Sequence, residues 1–263
     1  MTAQIHATAL IADGAEIDAG VSIGPFCVIG AYARIAKGVV LHDHVTITGN
    51  THLAEDVEVF QNSVVGASPQ IVGFKDTGVS RVEIGARTIL REHVSIHAGS
   101  TPDDGLTSIG ADCMFMANTH AGHDCKIGDK CVIANGTQIG GHVVTGEQVW
   151  MGGQVAVHQF CRIGKHGFVG GGAILVDDVI PYGSVIGNRA YLAGLNVIGL
   201  KRRGFSRDAI GSLRAATKLL FAGEGSFANR LDQTESQFSE STEVMDIVNF
   251  IKSDHTRSIC MPK

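Results

Sequence analysis

Five histidines, His97, His120, His123, His142 and His158, crowd the middle of a 263-residue chain that holds twelve in all. Imidazole titrates near neutral pH, so a set like this can move protons or hold a metal. Zinc chemistry on such a chain would place three histidines on neighbouring turns, two of them five residues apart, and His120 and His123 are three apart, a poor match. Acyl transfer asks for less. One neutral histidine takes the proton of a hydroxyl that attacks a thioester, and backbone N–H groups at a glycine corner hold the oxyanion. His6, His42, His44, His52, His93 and His166 are read instead as corner residues of a solvated face.

What must position these side chains is a six-residue period. From Ile5 an aliphatic residue recurs at Ile11, Ile17, Ile23, Ile29, Ile35, Leu41, Ile47, Leu53, Val59 and Val65, and as far as Val59 a small or β-branched residue follows each by four. A fixed short repeat is read before any local propensity. Helix would want apolar residues at i, i+3, i+4 and i+7; here the second and third places after several of the aliphatics carry Asp-Gly, Ala-Gly, Lys-Gly, Asp-His or Glu-Asp, which are turn residues. Each hexad therefore reads as one short strand and one corner. Three of them close a triangular coil of about eighteen residues, and stacked coils form a parallel β-helix. One coil is thus a step of about eighteen; His123 to His142 is nineteen and His142 to His158 sixteen, so these side chains share one edge.

Composition agrees: 34 glycines, one tryptophan and three tyrosines suit a solenoid better than an aromatic-rich core. A net charge of −5 leaves no nucleic-acid footprint. With no run of eighteen apolar residues and no signal peptide, the chain reads as soluble and cytoplasmic. Cys27, Cys113, Cys125, Cys131 and Cys161 all fall in the small inward slot and are expected to be buried hydrophobes rather than ligands; Cys260 has no assigned role.

The repeat occupies residues 1–190, with excursions over 67–83 and 101–108, where loops on a rigid scaffold tend to carry function. From Ile109 the phase is expected to run on through Leu175 to Pro181. Counting 27 hexads gives nine coils, on the order of 40–45 Å of prism. Residues 191–263 are expected to be a helical domain capping the open end, with Ser206 as an N-cap, Ile210, Leu213, Thr217 and Leu220 on one helical face, and Val244, Ile247, Val248 and Ile251 on another. The polar stretch 232–242 separates the two.

Residues 118–128 (Asn-Thr-His-Ala-Gly-His-Asp-Cys-Lys-Ile-Gly), 140–143 (Gly-Gly-His-Val), 157–161 (Val-His-Gln-Phe-Cys) and 199–207 (Gly-Leu-Lys-Arg-Arg-Gly-Phe-Ser-Arg) resemble the acyl-carrier-protein-dependent UDP-N-acetylglucosamine O-acyltransferases, which begin lipid A synthesis. The resemblance covers nearly the whole chain, and it implies a left-handed coil and a homotrimer with active sites between neighbouring subunits. It implies transfer of an (R)-3-hydroxyacyl chain from acyl carrier protein to the 3-position of UDP-N-acetylglucosamine, with no resident cofactor and no metal. By the same resemblance His123 is the general base, Asp124 orients it or stabilises its charged form, and the Gly141 N–H receives the oxyanion. His97, His120, His142, His158 and Gln159 would line acceptor and acyl pockets. Asn196, Arg202 and Arg203 would meet a nucleotide or phosphopantetheine phosphate, and Gly171 would hold the position that limits acyl-chain length, its missing side chain leaving the groove open to long chains.

Two departures from the family pattern concern the acceptor. The first excursion reads Gln70-Ile-Val-Gly-Phe-Lys75 where Gln-Asp-Leu-Lys is usual, and Ile198 replaces a second acid. Gln70 and Lys75 are the groups expected to replace the lost contacts. The alternatives are the same transfer to a 3-amino sugar, an acetyl-CoA-dependent O-acetyltransferase of the same repeat, and a hexapeptide scaffold without catalysis.

Overall fold

The computed structural model describes residues 2–76, 78–101, 104–254 and 256–263. Thr77, in the first excursion, and Pro102 and Asp103, in the second, lie outside the described residues.

Short strands, most of two residues, stack into three sheets that are parallel throughout the solenoid. Each inward aliphatic meets its counterpart one coil on, as Ile5 meets Ile23 and Ile29 meets Ile47. From Val21 on the inner columns are fully buried, whereas the first coil leaves Ile5 exposed and Ile11 and Ile17 half-buried, and the chain is a left-handed parallel β-helix. The excursions lengthen the step without breaking the ladder: Val65 pairs with Ile96 across the first, and Ile96 with Ala121 across the second. That second pairing sets His120 beside Ser95.

The corners are less dependent on glycine than the sequence suggests. His44, Asp56, Asn62, Asp124 and His142 all hold φ between 57° and 61°, the left-handed region that Asn, Asp and His tolerate best. The ladders on either side over-determine this costly conformation. Asp124 and His142 are such corner residues one coil apart.

The repeat phase holds to Leu175 and then slips. Ile163 pairs with Val179 and Val169 with Val185, so the last coil is two residues short and Pro181 is not an inward rung. Residues 191–195, expected to open the helical region, form instead a strand antiparallel to Gly183–Ile186. The open strand edges are thus closed by backbone rather than by helices: by that strand, by Asn188 on Ile174, and by Ile259 on Asp178. An unpaired edge needs donors and acceptors in register, which a helix side cannot offer.

Among the described residues four helices follow: α1 (Val197–Arg202), α2 (Arg207–Ala222), α3 (Phe227–Gln237) and α4 (Thr242–Ser253). Ser206 caps α2 by accepting from the Ala209 N–H at 3.0 Å. Ala216 rather than Thr217 faces inward, while Thr217 returns its hydroxyl to the Leu213 carbonyl at 2.7 Å. Much of the polar stretch 232–242 is helical, because α3 buries only Leu231 and Thr234 and so leaves almost no apolar period to read. Arg162 ties α4 to the solenoid, bonding Asp178 at 2.7 Å and Ser253 at 2.9 Å and stacking over Phe250.

All six cysteines are free and buried, and burial raises the thiols of Cys125 and Cys161 to about 12 and about 11, which leaves both inert at neutral pH. One histidine departs from its expected place. His166 is buried, not solvated: the short last coil brings Tyr182 to stack on it at 5.5 Å, and Phe205 meets its ring edge-on at 5.1 Å.

Candidate active site

Asp124 follows His123 at a corner, so the two side chains emerge together. The His123 Nδ1 lies 2.7 Å from Asp124 Oδ2. Ser100 and Thr101, where the second excursion leaves the coil, close over the carboxylate: the Ser100 hydroxyl donates at 2.6 Å, its N–H at 2.9 Å, and the Thr101 N–H at 3.2 Å. The Thr107 hydroxyl accepts from the Asp124 N–H at 2.8 Å and fixes the backbone. Burial alone would raise this carboxyl, but the hydrogen bonds from Ser100, His123 and Thr101 outweigh it and hold it down at about 2. A permanently ionised Asp124 takes the Nδ1–H of His123 and leaves Nε2 with a free lone pair.

Nε2 faces Gly141 on the next coil. A Cβ at residue 141 would sit 2.6 Å from that nitrogen, so only glycine lets the ring and the corner backbone approach this closely. His142 packs edge-on against His123 at 5.0 Å, stacks on Phe160 at 4.4 Å, and brings Nε2 to 3.5 Å from Asp124 Oδ2.

A cleft of 260 Å³ opens beside this pair, and among its walls are Gln70, His97, His120, His123, Gly141 and Gln159. Burial, aided by the charge of His97, lowers His120 to about 4. Burial is also the main force lowering His97 and His142. These neighbours therefore stay neutral at physiological pH and meet a ligand as hydrogen-bonding groups. His120 Nδ1 is paired to the Ser95 hydroxyl at 2.9 Å, which orients its ring.

The remaining expected site residues lie elsewhere on the chain. His158 is exposed, held against Arg257 and the Gln159 carbonyl. Lys75 is exposed on the first excursion, and Gly171 is exposed at a corner where a Cβ would meet only the Gly153 backbone, at 3.3 Å. Asn196, Arg202 and Arg203 line a second cavity of 560 Å³ with Trp150 and Phe168. Asn196 also caps α1 and donates to the His166 carbonyl at 3.0 Å. Arg203 donates to the Gln148 carbonyl at 2.9 Å, while its buried Nη1 has no partner among the described residues.

His123, Asp124 and His142 offer ligand atoms within 4.8 Å of one another, a set that could suit a divalent metal. The Asp124 oxygens, however, are already engaged by Ser100, Thr101 and His123, which is the wiring of a proton-transfer pair. Sequence reasoning missed Ser95, Ser100, Thr101, Thr107 and Arg257. The only signal for Ser100 and Thr101 was their position where the hexad rule breaks.

Residues 178–260 match the family described as UDP-N-acetylglucosamine O-acyltransferase, domain 2, and residues 8–43 and 106–141 match the bacterial transferase hexapeptide repeat. Among curated proteins, the acyl-[acyl-carrier-protein]–UDP-N-acetylglucosamine O-acyltransferase of Caulobacter vibrioides is 46% identical over 98% of this chain and 98% of its own length. The protein of the same name from Bartonella henselae is 43% identical over 99% of this chain and 94% of its own. LpxA from Acinetobacter baumannii superposes with a TM-score of 0.93 at 36% identity, covering 97% of this chain and 99% of that one.

Proposed function

The chain belongs to the acyl-[acyl-carrier-protein]–UDP-N-acetylglucosamine O-acyltransferase family and is an acyltransferase, and from that premise we propose that it moves an (R)-3-hydroxyacyl chain from acyl carrier protein to the 3-hydroxyl of UDP-N-acetylglucosamine, the first step of lipid A biosynthesis. The observation that carries the reading is the His123–Asp124 pair, with one ring nitrogen committed to a buried carboxylate and the other free beside Gly141.

In this reaction His123 Nε2 takes the proton of the 3-hydroxyl as its oxygen attacks the thioester carbonyl. The tetrahedral oxyanion is received by the Gly141 N–H. As the intermediate collapses, the C–S bond breaks and the imidazolium returns its proton to the departing phosphopantetheine thiolate. Asp124 stabilises the imidazolium between the two steps. His97, His120, His142, His158, Gln159 and Gln70 serve the acceptor and acyl chain, with Lys75 reaching in from the first excursion. Asn196, Arg202 and Arg203 meet a phosphate. The phosphopantetheine arrives with the donor, so no resident cofactor is needed.

A homotrimer is part of the reading. Along one sheet the outward positions run Ile89, Met114, Val132, Trp150 and Phe168, each paired to the next one coil on. This apolar ladder, with Trp150 42% exposed, is suited to pack against a second copy of the chain. No described helix is long and apolar enough to cross a membrane. A cytoplasmic location follows from the donor and acceptor proposed.

The test is donor choice. With UDP-N-acetylglucosamine as acceptor, 3-hydroxyacyl-loaded carrier protein should give the 3-O-acyl product and acetyl-CoA should not. Turnover of acetyl-CoA with the carrier protein ignored would overturn the reading. Competition against the 3-amino analogue of the acceptor settles which nucleophile is natural. A more than tenfold preference for the amine, about 1.4 kcal/mol in the transition state, would move the assignment to amide formation.

A further inference from the structure

The chain's last residues are laced onto the final coil. The Asp178 N–H donates to the Ser258 carbonyl at 2.8 Å, the Cys260 N–H to the Asp178 carbonyl at 2.7 Å, and the Leu192 N–H to the Met261 carbonyl at 3.0 Å. Arg257 immediately precedes this anchored backbone, and its half-buried side chain turns back toward the corner that carries His158 and Gln159. Nη1 donates to the Val176 carbonyl at 2.8 Å and Nη2 to the Gln159 carbonyl at 2.6 Å. The same Nη2 stands 3.1 Å from His158 Nδ1.

These contacts select a tautomer. A guanidinium is all donors, so an imidazole nitrogen facing it must offer a lone pair. An Nδ1–H on His158 would oppose Nη2 donor to donor. The Gln159 carbonyl at 3.0 Å could accept a second bond, but its first and closer donor is Nη2, and the positive guanidinium beside Nδ1 opposes a further proton there. With Nδ1 bare, the proton of neutral His158 sits on Nε2.

We infer that Arg257 is a positioning residue of the transfer reaction: reaching in from the C-terminal tail, it holds His158 in the Nε2–H tautomer and pins the Gln159 carbonyl beside the cleft that Gln159 lines. His158 then meets substrate as a hydrogen-bond donor, not as a second base competing with His123. Without the guanidinium, Nδ1–H is free to donate to the Gln159 carbonyl, and the proton moves to that side of the ring. Only the kinetic consequence rests on the acyl transfer proposed above; the tautomer is a property of the free protein.

The experiment compares full-length Arg257→Met, which keeps the apolar stem, and Arg257→Lys, which keeps one donor, with the wild type. Long-range 1H–15N spectra of the imidazole, recorded on the free protein well above the ordinary histidine pKa of about 6.5, should show His158 with Nδ1 bare in the wild type and Nδ1 protonated in Arg257→Met. In the transfer assay Arg257→Met should raise KM for the acceptor and lower kcat/KM by about tenfold or more, equivalent to about 1.4 kcal/mol, with Arg257→Lys between the two. A wild-type His158 that carries its proton on Nδ1 overturns the inference. So does an unchanged tautomer in Arg257→Met, or a kcat/KM within about twofold of wild type. If the wild type transfers no acyl group at all, the functional reading fails while the spectra still decide the tautomer.

Discussion

A methyl group on Gly141 would lie 2.6 Å from Nε2 of His123, closer than any real contact, although the two residues are a full coil apart. The ring that would act as base and the glycine corner that would receive the oxyanion are therefore neighbours with no room for a side chain between them. The stacking of one coil on the next enforces this.

Gly141→Ala should accordingly displace the His123 ring. Its backbone is not in the left-handed region, so the substitution adds bulk without φ strain. A displacement near 1 Å at a reacting centre can cost about 100-fold. The expected outcome is a kcat lower by about that factor with a melting temperature close to wild type, measured by transfer assay and calorimetry. Full activity would show that ring and corner need not touch.

Asp124→Asn removes the charge and reverses a hydrogen bond. An amide N–H facing Nδ1 would drive the proton of His123 to Nε2, where a base needs its lone pair, and turnover should fall by about 10²–10⁴-fold. Stability should carry a pH signature as well. The folded-state pKa of Asp124, at about 2, lies below the ordinary carboxylate value. Its contribution, about 2 kcal/mol, is therefore present above pH ~4 and lost as pH falls toward ~2. The stability gap between wild type and variant, followed by denaturant unfolding, should close over that window. A gap independent of pH would mean that the carboxylate is not what stabilises the corner.

His166→Ala should cost about 2–4 kcal/mol of folding free energy, because the buried ring stacks on Tyr182 and takes the edge of Phe205 at the junction of coil and helices. Urea unfolding measures this directly. A change below about 0.5 kcal/mol, typical of a surface position, would argue that the ring is not packed in solution.

Much of this was legible in the sequence because a β-helix writes its geometry as a period. Ile29, Ile47 and Val65 announce one inward column, and a step of one coil groups His123 with His142. What the period could not show were departures from it. The shortened last coil that buries His166 needs the pairing of Ile163 with Val179. The helix α3 hides because it buries little more than Leu231. The carboxylate's partners, Ser100 and Thr101, arrive from an excursion whose path no repeat dictates. Arg257 reaches across from the far end of the chain, and separation of that kind leaves no local signature.

Gly171→Met should shorten the preferred acyl chain. The position is exposed, and a Cβ there meets only the Gly153 backbone, at 3.3 Å, so folding should tolerate the substitution. If the acyl groove passes this corner, each excluded methylene forfeits about 0.8 kcal/mol of burial. Rates with long 3-hydroxyacyl donors should then fall most. An unchanged chain-length profile would place the groove elsewhere.

The most direct test of the central claim is the turnover of His123→Ala with 3-hydroxyacyl carrier protein and UDP-N-acetylglucosamine, read beside its melting temperature. The expected loss is about 10²–10⁴-fold or more, with a stability cost of only about 1 kcal/mol for the lost hydrogen bond to Asp124, since the side chain lines a cleft and supports no inner column. Near-wild-type turnover in that variant would contradict it, because no other histidine of the cleft combines a buried carboxylate on one nitrogen with a free nitrogen against Gly141.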